Sequence, residues 1–269
     1  YTVFSSSPFA GCIELATIGC SNSTILPFAD LVTSNIGRGP NPLLQNHPLM
    51  AIHPPMLYIG YVGMTMPFVA ATSRLYSKKD DSNSWIEVAE KTTYIPWLFL
   101  TIGITLGAAW SYEVLGWGGY WAWDPVENVS FIPWLLATAF LHSAKIQKTQ
   151  NTLLNWNYIL VGLMFLSTLF GTFITRSGVL ISVHAFSNGN IGTYLLFGIL
   201  LFGLMFIGIG SRNIEYFSKS KKIDNWFGKT GFFVYNNIFL FSSAIVVFIG
   251  TIFPLIYETL YDRQITVGR

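Results

Sequence analysis

Trp110-Ser-Tyr-Glu-Val-Leu-Gly-Trp-Gly-Gly-Tyr-Trp-Ala-Trp-Asp-Pro-Val-Glu-Asn-Val-Ser-Phe-Ile-Pro-Trp134 is the stretch that decides the fold. It holds five of the nine tryptophans, with Gly116, Gly118 and Gly119 between them. Three glycines so close together oppose a helix over 116–119, because folding must remove the extra backbone freedom each one brings. They permit a sharply bent backbone that turns flat indole faces one way. Asp124-Pro125-Val126-Glu127 then reads as a helix start, with Asp124 at the N-cap, Pro125 at the first helical position and Glu127 at the third. The stretch predicts a tryptophan-rich platform clamped by the N-terminus of a membrane helix. The capping role accounts for the Asp124–Glu127 spacing better than an acid/base pair does.

Outward from this loop the chain is a membrane protein. It is 52% hydrophobic and only 10% charged, with mean hydropathy +0.49, against roughly 25% charged residues in a soluble domain. Six apolar segments, near 54–73, 93–112, 126–145, 153–174, 192–211 and 232–256, each approach the ~20 residues that cross a bilayer. The predicted fold is all-α: a polytopic bundle of about six transmembrane helices. Loops 74–91, 145–151 and 212–230 hold most of the cations, from Arg74 to Lys229, whereas loops 1–53, 113–125 and 175–191 hold only Arg38 and Arg176. Positive loops stay on the side of insertion. The tryptophan loop therefore belongs to the opposite, trans face, the periplasm of a bacterium or the intermembrane space of a mitochondrion. Three regions follow: a polar trans-side loop region at 1–53, a bundle at 54–256 with the signature loop at 110–130, and a trans-side tail at 257–269. Cys12 and Cys20 fit no zinc or CxxC pattern, and their pairing stays open. No P-loop or GxGxxG is present, and nothing points to nucleic acid. The chain opens at Tyr1 without a signal-peptide pattern and reads as a piece of something longer, or as a processed product.

Of the four histidines, His53 stands directly before Pro54-Pro55, at the expected start of the first span. The positive end of a helix disfavours imidazolium there and keeps the ring able to ligate a metal. His184 follows Arg176 in the third trans-side loop. Two trans-facing histidines, an aromatic platform and an arginine are the parts of a bis-imidazole haem site, the arginine serving a propionate. A plain interfacial tryptophan belt is the alternative, but a belt spreads over both interfaces and this one is bunched in one loop. His142 lies 17 residues beyond Pro125, roughly 25 Å deeper at 1.5 Å per residue. It cannot reach the platform, and as an ionisable group inside a span it is a candidate for a second centre.

Trp117-Gly-Gly-Tyr-Trp-Ala-Trp-Asp-Pro-Val-Glu-Asn resembles the tryptophan-rich WWD signature of the haem-handling proteins of cytochrome c maturation. Asn41-Pro-Leu-Leu-Gln, His53-Pro-Pro-Met-Leu-Tyr-Ile-Gly-Tyr-Val-Gly and Thr175-Arg-Ser-Gly-Val-Leu-Ile-Ser-Val-His-Ala-Phe resemble its CcmF branch, the membrane haem lyases. The resemblance implies that His53 and His184 hold the haem to be delivered, that Trp117, Trp121, Trp123 and Asp124 receive it, and that His142 is one of two membrane histidines of a resident b-type haem. The second of that pair has no counterpart in this sequence. The resemblance further implies as partners an apocytochrome c, a haem chaperone and companion CcmF-type polypeptides that supply the missing helices, within the lipid membrane. The implied setting is the mitochondrial inner membrane, for a protein encoded in pieces, with a bacterial plasma membrane as the alternative. The expected role is a haem-binding subunit of a cytochrome c haem lyase. A haem exporter or carrier of the same superfamily, or a haem-free structural subunit, are the rival readings.

Overall fold

The computed structural model describes residues 11–15, 19–23, 47–77, 84–114, 119–177, 179, 191–223 and 225–261. The chain divides into two compact units, 1–46 and 47–269. In the first, β1 (Gly11–Leu15) and β2 (Gly19–Ser23) form an antiparallel pair, with Cys12 opposite Asn22 and Glu14 opposite Cys20. The polar, turn-rich composition of this region had led us to expect loop there.

The second unit is helical: α1 (Leu49–Gly63), α2 (Thr65–Ser77), α3 (Ser84–Glu113), α4 (Pro125–Gln150), α5 (Leu154–Ser177), α6 (Ile191–Arg212), the short α7 (Ile214–Ser218) and α8 (Lys229–Tyr261). Six stretches among the described residues are long and apolar enough to cross a bilayer, α1 and α2 together making the first of them. The expected number is met. Their ends run beyond the apolar segments because polar residues continue the helices as capped turns.

The first span starts earlier than its Pro-Pro pair predicts. Pro54 and Pro55 stand inside the helix, past its first turn, and remove the two N–H groups that would bond the Met50 and Ala51 carbonyls, so α1 forms in spite of two missing bonds. The His47 ring caps this start, Nδ1 accepting from the Leu49 N–H at 3.2 Å. His53 therefore sits in the second turn of α1 and not at its beginning, which weakens the helix-end argument made for it above. The break at Met64 between α1 and α2 has its cause three residues later: Pro67 has no N–H to offer the Gly63 carbonyl.

The central helix is α4, with α3, α5 and α8 packed around it. Its interior neighbours are joined by hydrogen bonds, which membrane bundles use where water cannot drive association. Trp97 Nε1 (α3) donates to Thr138 Oγ1 (α4) at 2.9 Å, and Trp134 Nε1 (α4) donates to Thr101 Oγ1 (α3) at 2.8 Å. Each threonine hydroxyl is passed on to the carbonyl of the tryptophan one turn earlier on its own helix. The two indoles stack with centroids 6.4 Å apart. Deeper toward the basic loops, Ser143 donates to Asn157 Oδ1, and Asn157 Nδ2 donates to Gln147 Oε1 at 2.8 Å, tying α4 to α5. Trp156 Nε1 reaches Asn237 Oδ1 on α8 at 3.1 Å. At that same end Lys148 Nζ meets the buried Glu90 carboxylate at 2.8 Å, and Tyr94 donates to its other oxygen.

Candidate functional site

The tryptophan loop is held between the end of α3 and the start of α4. The predicted capping box is present: Asp124 accepts from Val126 N at 2.9 Å, and Glu127 Oε2 accepts from Asp124 N at 3.2 Å. The same Glu127 oxygen also accepts from Ala122 N at 3.0 Å, so one carboxylate orders the loop ahead of the helix. From the other side Ser111 Oγ donates to the Gly119 carbonyl at 2.7 Å, and Tyr112 stacks on Tyr120 with centroids 4.3 Å apart. Gly119 has φ +94°, a conformation only glycine adopts without strain.

Trp123 is the anomaly. Its φ is +58°, a left-handed geometry that costs a side chain such as tryptophan roughly 1–2 kcal/mol. The indole lies against Gly250 of α8, where an added Cβ would stand 2.9 Å from Cζ2. Its Nε1 is buried and finds no hydrogen-bond acceptor among the described residues. Asn128, whose amide approaches the Trp123 carbonyl at 3.5 Å, likewise has a buried Oδ1 without a donor. Buried polar atoms left open beside strained backbone make this loop a candidate for contact with a ligand or an ordered water. Trp121 meets Phe131 edge-on at 5.5 Å, and Phe131 stacks on Trp134 at 5.5 Å, carrying the aromatic run down into the bundle. Trp117 lies outside the described residues.

His53 is positioned by α3. Its Nδ1 lies 2.7 Å from the Gly103 carbonyl, so Nδ1 carries the proton and the lone pair is on Nε2. Metal-ligating imidazoles typically donate their other ring N–H to a carbonyl in this way, which fixes the tautomer and the direction of the ring. The ring lies over Gly107, where a Cβ would come within 2.6 Å of Cε1. Gly103-Ile-Thr-Leu-Gly107 is a GxxxG face that lets α1 and α3 approach closely, with Leu57 over Gly103. Trp110 stands beside His53 edge-on, centroids 5.9 Å apart, and stacks on His47 at 6.0 Å. His47 is engaged at both nitrogens, by Leu49 N–H and by Glu113 Oε2 at 2.8 Å, so it serves structure here. Arg176, in the last turn of α5, reaches the Tyr58 hydroxyl at 3.4 Å, at the same end of the bundle as His53. His184 lies outside the described residues.

The helices thus bring His53, Trp110, Trp121, Trp123, Asp124 and Arg176 to one end. His142 is apart from them, on α4 toward the opposite end, with its Nδ1 3.1 Å from Asn236 Nδ2 of α8 and Phe233 at 5.8 Å. Turned over, the Asn236 amide would present its oxygen to accept a hydrogen bond from Nδ1–H, leaving the lone pair on Nε2. Sequence reasoning missed Asn236, His47, Glu113 and the role of Trp110. The GxxxG spacing was a readable signal for the wall behind His53, whereas the contacts to Asn236 and Glu113 span 94 and 66 residues and have no local signature. Among the described residues no group of three or more His, Cys, Asp or Glu gathers into a metal cage.

Residues 5–181 match the family described as Cytochrome C assembly protein. The chain is similar to the cytochrome c-type biogenesis protein ccl1 of Rhodobacter capsulatus, 44% identical over 234 residues, which are 86% of this chain and 35% of that protein. It is 38% identical over 238 residues to the cytochrome c-type biogenesis protein CcmF of Escherichia coli, covering 86% of this chain and 36% of that one. A solved structure, the cytochrome c heme lyase CcmF, superposes with TM-score 0.65 at 41% identity, over 80% of this chain and 32% of its own. The chain spans about a third of the length of these relatives.

Proposed function

This chain belongs to the cytochrome c assembly protein family, and from that premise we propose that it is the haem-holding part of a cytochrome c haem lyase. The observation that carries the proposal is the His53 site: an imidazole with its lone pair directed to Nε2 by the Gly103 carbonyl, beside Trp110, at the end of the bundle that bears the tryptophan loop. The haem is the substrate, held through His53 and, by the family resemblance, His184. The indoles of Trp117, Trp121 and Trp123 form its bed. The residues present fit such a group. Arg176 supplies a cation for a propionate at the same end, and the Trp123 indole, packed against Gly250, is a fixed wall of the bed. Asp124 acts by capping α4 and so fixing the loop.

In the reaction, the thiol of an apocytochrome adds across a haem vinyl group. The sulfur–carbon bond forms, the thiol proton goes to the neighbouring vinyl carbon, and no electrons are gained or lost overall. The chain's share is orientation: fixing the porphyrin edge against the incoming cysteines replaces a chance encounter with an aligned one. A haem chaperone delivers the haem and the apocytochrome c receives it.

His142 holds a resident b-type haem from one side in this proposal, with Asn236 as the neighbour that orients the ring. A second histidine and the covering helices would come from the rest of the lyase, on a companion polypeptide in a split mitochondrial version. A polar His–Asn pair on a partly open face inside a span supports that cover, since lipid contact with such a pair is costly. The tryptophan end faces the intermembrane space, or the periplasm in a bacterial plasma membrane, as the basic loops on the other end imply.

The test is the visible spectrum of the complex purified with His53→Ala and with His184→Ala. Loss of the delivered haem in both variants, with the resident haem retained, is expected; unchanged occupancy in both would refute the ligand assignment. Capture of apocytochrome c by the wild type separates a lyase from a haem carrier.

A further inference from the structure

At the basic end of the bundle, α2 and α6 are separated by an open groove of about 520 Å³, lined by Thr72, Ser73 and Tyr76 from one helix and Met205, Gly208 and Arg212 from the other. We propose that this groove is a binding site for one anionic phospholipid. From Met205 to Arg212 the wall runs about two helical turns, roughly 10 Å, down from the helix end toward the bilayer middle. Along it the floor is Gly208, where an added Cβ would meet nothing within 4 Å. That leaves an apolar slot the width of a hydrocarbon chain.

At its mouth stands Arg212, with its guanidinium over the Tyr76 ring at 5.9 Å. Among the described residues no carboxylate pairs with Arg212. The threonine and serine hydroxyls of the groove are already used. Thr72 donates to the Phe68 carbonyl at 2.7 Å, and Ser73 donates to the Ala70 carbonyl at 3.5 Å. Arg212, with the exposed Tyr76 hydroxyl beside it, is the charged group left to face a headgroup, and the exposed Lys219, Lys221 and Lys222 add positive charge at the same end. A basic mouth over an apolar slot between two spans is complementary to a phosphate that carries acyl chains. A helix from another protein would fill the slot but bury the guanidinium without an anion, which is costly.

The experiment uses the complex purified from its native membrane in mild detergent and stripped stepwise of lipid. Native mass spectrometry then counts retained phospholipid, and thermal unfolding is followed after adding back vesicles of dioleoyl phosphatidylglycerol or dioleoyl phosphatidylcholine. The wild type is expected to keep one anionic phospholipid and to be stabilised by phosphatidylglycerol alone, since a ligand of the folded state raises the midpoint. Arg212→Gln removes the charge. Gly208→Leu puts a side chain into the slot from a position where an added Cβ meets nothing within 4 Å. Each should cut retention several-fold and abolish the phosphatidylglycerol effect, whereas Gly198→Leu, whose Cβ also meets nothing within 4 Å, should change neither. Equal retention in wild type and both groove variants overturns the proposal. So does equal protection by phosphatidylcholine, or a polypeptide in place of lipid crosslinked to position 208.

Discussion

Replacing Gly107 by alanine places a methyl group 2.6 Å from His53 Cε1 and 3.0 Å from its Nδ1. Carbon atoms rest at about 3.5–4.0 Å, so the ring must retreat by roughly 1 Å. The Nδ1–Gly103 hydrogen bond begins at 2.7 Å, and a retreat of that size carries it beyond the range in which such bonds hold. Losing it costs about 0.5–1.5 kcal/mol of stability. Alanine in a helix interior returns about 0.8–1 kcal/mol over glycine. The two nearly cancel, so the midpoint of thermal unfolding should stay close to that of the wild type. Haem binding has no such compensation. An imidazole that loses the partner fixing its tautomer and direction typically loses ~10–100-fold in metal affinity. Titrating haem into the stripped complex and following the Soret band measures this directly, with Gly198→Ala as the control in open space. An affinity for Gly107→Ala that matches the wild type, in a protein of normal stability, would show that the ring on Gly107 does not hold the haem.

Other outcomes follow from the same geometry. Trp97→Phe and Trp134→Phe should each lower stability by about 0.6–1.7 kcal/mol, the span measured for interhelical hydrogen bonds in membranes. In the double variant the two costs should fail to add, because both bonds lie in one contact between α3 and α4; strict additivity in thermal unfolding would count against a shared clamp. Asp124→Ala should cost about 0.5–2 kcal/mol through the lost cap, and it should raise hydrogen exchange at Val126 N–H while leaving the exchange of α6 alone. Asn236→Leu should alter the spectrum of a haem at His142 and leave the delivered haem untouched. His142→Ala should remove that resident haem altogether, so an unaltered spectrum in His142→Ala denies the site and one in Asn236→Leu alone denies the partner.

The spans and the capping box were legible because they are written in short windows: long apolar runs and Asp-Pro-Val-Glu carry their own physics. The gathering of His53 with the tryptophan loop was legible only through the alternation of loop charge, which orders the ends of helices but not their neighbours. What failed was of two kinds. The Pro-Pro pair predicts a boundary, yet α1 begins at Leu49 and carries both prolines inside it, without the two bonds their missing N–H groups would have made. The partners of His47, His142 and Trp97 sit 41 to 94 residues away along the chain, and no window holds both members. Trp123 is a third case. Its left-handed backbone follows from the grip of Glu127 on the loop and the space over Gly250, a conflict between local preference and tertiary demand that sequence pattern does not record.

The crossed Trp97–Thr138 and Trp134–Thr101 bonds make a calliper of the bundle. One jaw is α3, whose glycine face supports the ring of His53 from α1; the other is α4, with the tryptophan loop at its start. With the hinge locked midway down the membrane, the opening between the jaws is set by parts that no bound molecule ever touches. Substitutions deep in the hydrocarbon, at Trp97, Thr101, Trp134 or Thr138, would then change that opening without altering any residue at the tryptophan end.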